Sequence, residues 1–162
     1  MVCDIVAWRD AMDKQAVTVK DGEGEVLRVL GTDVRFLLEA ATTGHRFSVM
    51  DVSLPKDQGP PPHEHPWDEA YFVISGRVRF VIGDAVRVFE AGDFAYAPGG
   101  VVHGFKGVDE TPARVLVFDA PATAEGFFRD LDKETKAEPG IAPDIPAIAQ
   151  RHGMRFLPPA AT

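Results

Sequence analysis

Cysteine is almost missing from this sequence: Cys3 is the one example among 162 residues. A disulfide within the chain is excluded, and a lone thiol fits a reducing compartment, so a cytoplasmic protein is expected. Cys3 stands next to the start of the chain and reads as a spare thiol. Long apolar runs are missing as well. Nothing approaches the roughly 18 uncharged apolar residues of a membrane-spanning helix. The first ten residues lack the basic-then-apolar order of a secretory leader, so none is expected. Positive charge is sparse and scattered: 17 Lys and Arg face 25 Asp and Glu, for a formal net charge of −8. That balance argues against nucleic acid or an anionic membrane as a partner. There is no internal repeat and no low-complexity tract.

What is present suits one globular domain: 45% hydrophobic and 26% charged residues, with 15 Gly and 13 Pro as punctuation. A chain of this length removes roughly 70% of its unfolded surface from water and holds a core without covalent staples. Up to about residue 120 the apolar pattern repeats every two residues, which predicts strands. Expected strands are Val26 to Leu30 and Val34 to Leu38 around a Gly31-Thr32-Asp33 turn, then Phe47 to Leu54 and Glu69 to Ser75. Arg77 to Ile82 and Val86 to Phe89 flank Gly83-Asp84-Ala85 as a hairpin, followed by Phe94 to Ala97, Val101 to Phe105 and Val115 to Asp119. Pro55 to Pro62 holds four prolines and reads as an irregular loop. Short strands broken so regularly by Gly and Pro indicate an all-β sandwich or barrel. After residue 121 a helix capped by Thr123 is expected through Leu131. A linker follows around Lys136 to Pro143, then a helix capped by Asp144 and stopped by Gly153. The expected organisation is an amino-terminal strand or arm (1–25), a barrel (26–120) and a helical extension (121–162).

His63-Glu64-His65 puts two imidazoles two residues apart, so an extended backbone turns both to one face where they can share an ion. Glu69 follows past Pro66, and His103 lies further on across three expected strands. Three imidazoles and a carboxylate, with no thiolate, suit one divalent Fe, Mn, Ni, Co, Cu or Zn ion and leave one or two exchangeable positions on an octahedral centre. Glu64 should face away from the histidines, and Asp68 away from Glu69, though Asp68 is the alternative carboxylate. His45, in a turn, and His152, near a helix end, read as structural.

The spacing His63-x-His65, three residues, Glu69, six residues, Gly76, and then Gly92, five residues, Pro98-x-Gly100, two residues, His103, resembles the two-part signature of the cupin family. Fifteen residues separate the two parts, and the likeness covers about residues 59 to 107. It implies a cupin jelly-roll β-barrel with short carboxy-terminal helices, in which His63, His65, Glu69 and His103 are the metal ligands. Two positions depart from the pattern: the early glycine is displaced to Gly59, and the final asparagine of the motif is Gly107 here. The segments Pro121 to Leu131 and Ile148 to Leu157 resemble the tails of small single-domain cupins described as quercetin dioxygenase-like.

Side-chain alternation extends the site. If Glu69 points into the barrel, so do Tyr71 and Val73; if His103 does, Phe105 follows, and Phe47 or Met50 on the neighbouring strand completes an apolar wall. Arg77 and Arg79 fall on the solvent side, which disfavours phosphorylated sugars as substrates. The resemblance and this pocket together imply a metal-dependent dioxygenase of a flavonol-like or other aromatic or enolic small molecule. Glu69 would then be ligand and catalytic base, provided burial raises its proton affinity. The alternatives are a metal-dependent isomerase, epimerase or lyase, or a non-catalytic small-molecule-binding cupin. Barrel edges and the apolar segment Val17 to Val19 suggest a homodimer with an exchanged strand.

Overall fold

The computed structural model describes residues 16–137 and 140–157. Cys3 and most of the expected amino-terminal arm lie outside that range. Residues 16–25 form no strand, and Val17 is exposed, so Val17 to Val19 pairs with no strand among the described residues.

Strand β1 (Val26–Val29) turns into β2 (Thr32–Leu38) through Leu30 and Gly31. Both turn residues take positive φ, 51° and 74°, the twist a two-residue hairpin demands. The turn thus falls earlier than Gly31-Thr32-Asp33, because Thr32 and Asp33 already pair with Val29 and Arg28. A short helix α1 (Ala40–Thr43), unmarked in the sequence pattern, precedes β3 (Ser48–Leu54). After the proline loop come β4 (His63–Glu64), β5 (Asp68–Ser75), β6 (Val78–Ile82), β7 (Ala85–Phe89), β8 (Phe94–Ala97), β9 (His103–Gly107) and β10 (Ala113–Ala120). Helices α2 (Ala124–Ala137) and α3 (Ile145–Arg151) and the two-residue strand β11 (Arg155–Phe156) complete the order.

Two antiparallel sheets form the jelly-roll, one ordered β1-β2-β3-β10-β5-β8 and the other β11-β4-β9-β6-β7. Alternation along each strand fills the space between them. On β5, Tyr71 and Val73 are buried while Phe72 and Ile74 face out. On β6, Val78 and Phe80 are buried and Arg79 faces solvent, as expected. Tyr71, Phe80 and Phe105 meet at the centre with ring centroids 5.1 to 5.5 Å apart.

The first carboxy-terminal helix runs six residues beyond the expected end at Leu131. Its first turn is held by Asp119, whose Oδ2 accepts from Ala124 N at 3.3 Å, whereas Thr123 bonds the carbonyl of Pro121. Asp144 caps α3 as expected, accepting from Ala147 N at 3.1 Å. Phe127 and Leu131 of α2 and Ile148 and Ala149 of α3 belong to the same apolar cluster as the barrel. Among the described residues, no helix is long and apolar enough to cross a membrane.

Candidate metal centre

His63 and His65 share the inner face at β4, while Glu64 turns outward to Arg155, with Nη2 to Oε1 at 2.6 Å. A single register pair, His63 with His103, joins β4 to β9 and brings the distant histidine alongside, with ring centroids 4.4 Å apart. Pro66 and Trp67 carry the chain into the opposite sheet, where Glu69 is the first inward residue of β5. The four groups therefore close on one point from both sheets. Their ligating atoms all lie within 4.8 Å of one another, and all four residues are buried.

Backbone carbonyls orient the three imidazoles. Nδ1 of His63 donates to Pro61 O at 2.8 Å, that of His65 to Trp67 O at 3.0 Å, and that of His103 to Val101 O at 2.8 Å. A carbonyl oxygen only accepts, so a hydrogen sits on each Nδ1 and each Nε2 is turned inward, where it can ligate a cation whenever it carries no proton. Nε2 of His65 is buried with no hydrogen-bond partner, and Nε2 of His103 faces Glu69 Oε2 at 3.2 Å. Converging buried acceptors fit a cation, since such groups are costly to bury unpaired. The nitrogen and oxygen donor set suits one divalent transition ion, as the sequence led us to expect.

The electrostatics agree with a ligand set. Burial, reinforced by the charge of His103, pushes the His63 imidazole down to about 4, so it is neutral and able to ligate near neutral pH. Burial alone would raise the Glu69 carboxyl, but the hydrogen bond from His103 and the neighbouring His65 outweigh it and hold Glu69 well below the ordinary range. His103 is held up in turn: burial opposes its charge, and the Glu69 carboxylate overrides burial. The condition attached to Glu69 as a base, a raised proton affinity, is not met; the arrangement suits an anionic ligand instead. Two donors fix that carboxylate, the Tyr71 phenol on Oε2 and Trp67 Nε1 on Oε1 at 3.4 Å. Trp67 also stacks on His65, 3.8 Å between centroids and 2° from parallel.

An apolar cavity of about 40 Å³ reaches His63 and Glu69, and Met50 and Phe105 line it as expected. Tyr71 and Val73 do not; they are packed into the core, and Tyr71 reaches the site through its hydrogen bond to Glu69. Phe47 is a correction: it precedes β3 and is 38% exposed. Phe47 and Met50 are three positions apart, so alternation admits one of the two to the interior, and Met50 takes the place. Asp68 lies outside the group, accepting from Gly99 N at 2.9 Å. His45 is exposed, and His152 pairs with Asp130 at 2.8 Å.

Sequence reasoning passed over Trp67, Asp119 and Phe156. The parity of Asp119, inward and opposite Glu69 in register, was available as a signal. No local signal placed Phe156, whose ring lies 5.6 Å from that of His63. At Gly107 the departure from the motif has a steric reason: a Cβ there would stand 2.4 Å from Leu54 O and 2.5 Å from Pro55 O. The backbone of this chain crosses β9 too closely for the usual asparagine.

A stretch of 57 residues is 37% identical to an uncharacterised protein of Streptomyces coelicolor, covering 35% of this chain and 54% of that one, so the chain matches about half the length of that relative. Among solved structures, the polyketide cyclase RemF of Streptomyces resistomycificus superposes with a TM-score of 0.59 at 22% identity, over 65% of this chain and 80% of the other. A predicted oxalate decarboxylase of Thermotoga maritima gives 0.60 at 18% identity over 65% and 99%. An RmlC-like cupin of Shewanella frigidimarina gives 0.57 at 20% over 69% and 97%. At these identities the likeness is one of fold. The family model of the cupin domain matches residues 50–119, the segment that carries all four candidate ligands, and the chain has the cupin jelly-roll fold.

Proposed function

We propose that this chain is a metal-dependent enzyme, a dioxygenase acting on a flavonol-like or other aromatic or enolic small molecule. The observation that carries the reading is the meeting of four buried groups able to ligate with an apolar cavity that holds no Lys or Arg among the described residues. His63, His65, Glu69 and His103 would hold one divalent ion. Such an ion supplies Lewis acidity and a template for an enolate oxygen and O₂.

The chain's own residues supply the rest. The backbone-bonded imidazoles and the doubly held carboxylate preserve the ligand geometry, and Met50, Phe105 and Phe127 exclude water from the reacting face. Glu69 stays anionic and serves as a ligand, so the substrate is expected to arrive already deprotonated or to lose its proton to solvent. We read the working unit as a homodimer in the cytoplasm, with a small molecule as its partner.

A second reading keeps the ion and dispenses with oxygen: an isomerase, epimerase or lyase. The polyketide cyclase and the predicted oxalate decarboxylase among the fold neighbours favour it, since their names describe reactions other than ring dioxygenation. Elemental analysis of untagged protein, paired with oxygen uptake on flavonols and catechols, separates the two. About one Fe, Mn, Ni, Co or Cu per chain with oxygen uptake supports the dioxygenase. Metal without oxygen uptake moves the assignment to the second reading, and no metal after reconstitution overturns both.

A further inference from the structure

The cavity at the metal centre is about 40 Å³, well below the roughly 150 Å³ known to admit a benzene ring. No ring of benzene size reaches His63 while the wall stands as it does. One side of that wall is Phe156, half-buried, with its ring 5.6 Å from His63 and 6.1 Å from Phe127.

The hold on Phe156 is slight. Its strand β11 makes two register pairs with β4, Arg155 with Glu64 and Phe156 with His63, and Leu157 N donates to Pro62 O at 2.9 Å. The Arg155–Glu64 ion pair on the outer face is largely exposed and adds little. Immediately before the strand the chain is firmly anchored. Ile148 and Ala149 are fully buried, and Met154 is buried with its N–H donating to Ala149 O at 2.9 Å. The fixed part ends at Met154 and the weakly held part begins at Arg155.

The wall also states what is to be admitted. Thr32 directs its hydroxyl to Val29 O at 2.7 Å, which leaves His63 and Glu69 as the polar groups turned to the cavity. A fitting ligand has an apolar, uncharged body and one polar head directed to the ion.

We propose that β11 is a strap and Phe156 the gatekeeper of the metal centre, so that an apolar ligand enters by displacing Phe156 from over His63. The inference rests on the metal-site reading above and narrows its substrate to molecules whose apolar ring takes the place of the Phe156 side chain.

Two probes of one head group and different bulk test it: imidazole and 4-phenylimidazole, titrated into the Co(II)-loaded protein and followed by visible absorption. Three proteins are compared: wild type, Phe156→Ala, and a double variant with Glu64→Cys and Arg155→Cys, two positions facing each other in register and within reach of a disulfide. The expected result is about tenfold tighter 4-phenylimidazole binding by Phe156→Ala, with imidazole within about twofold of wild type. The oxidised double variant should bind imidazole normally and 4-phenylimidazole at least about tenfold more weakly, recovering on reduction. Equal 4-phenylimidazole affinity in wild type and Phe156→Ala overturns the gatekeeper. Unhindered binding by the oxidised variant overturns the strap. If imidazole leaves the wild-type spectrum unchanged, the metal-site reading falls, and the strap with it.

Discussion

The phenol of Tyr71 donates its hydrogen bond to Oε2 of Glu69, the oxygen that faces Nε2 of His103 at 3.2 Å. Both residues lie on the inner face of β5, two positions apart, so one strand supplies a candidate ligating carboxylate and the donor that fixes it. Burial, with the Glu69 charge in second place, keeps the phenol protonated far into the alkaline range, and the donor is permanent at working pH. Removing an outer partner of this kind commonly costs 10- to 100-fold in metal affinity, so Tyr71→Phe is expected to weaken Co(II) or Mn(II) binding by about tenfold or more. The ring stays packed against Phe80 and Phe105, and thermal unfolding should show a stable fold. Isothermal titration with the metal, together with a melting curve, checks both halves.

Asp119 presents the opposite case to Glu69. Burial pushes its carboxyl up to about 6 from 3.8, against the hydrogen bond from Ser48, with the charge of Glu69 adding to the rise. The folded state keeps a proton that the unfolded state has lost, so stability tied to this group is full below 3.8 and falls away as pH rises through about 6. An asparagine mimics the protonated form. Asp119→Asn should match wild type in acid and exceed it near neutral pH by up to about 3 kcal/mol.

His63 runs the other way. Its imidazole stays neutral down to about 4 in the fold but takes a proton at 6.5 when unfolded, so its contribution is present above 6.5 and lost as pH falls. In wild type this loss and the gain at Asp119 offset each other. Urea denaturation of metal-free protein across about pH 4 to 8 should therefore show a steeper acid loss in Asp119→Asn than in wild type. Parallel curves would refute the assignment.

Gly107→Asn restores the residue more usual in the motif and is expected to harm this protein. Its Cβ would meet two backbone carbonyls at the crossing of Lys56 with Gly107, and neither is free to retreat. A loss of about 1–3 kcal/mol in a denaturant titration is expected; an unchanged midpoint would show that the crossing relaxes.

The outer face of the larger sheet carries Phe72 beside Phe94 and Ala70 beside Tyr96 in register, with Phe94 60% and Tyr96 50% exposed. Such an apolar stretch on an edge strand is where a second copy would sit in the expected homodimer. Light scattering should give twice the chain mass for wild type and the single mass for Phe94→Glu. A monomeric wild type removes the dimer.

The sequence by itself determined what depends on near neighbours. Alternation sorted Tyr71 and Val73 from Phe72 and Ile74, glycines and prolines marked the turns, and the spacing of His63, His65, Glu69 and His103 named the residues that the structure gathers. These patterns repeat within a few positions and need no knowledge of what lies opposite. Tertiary structure decided whatever depends on which distant segment arrives at a given face. One cross-strand pair sets His103 against His63, and Met50 rather than Phe47 faces the cavity. The phenol expected to touch substrate holds the Glu69 carboxylate instead, and the tail returns to lay Phe156 over the site. Apolar packing is not directional and leaves no local period to mark its partner, which is why the four clustered residues were legible in the chain and the closure over them was not.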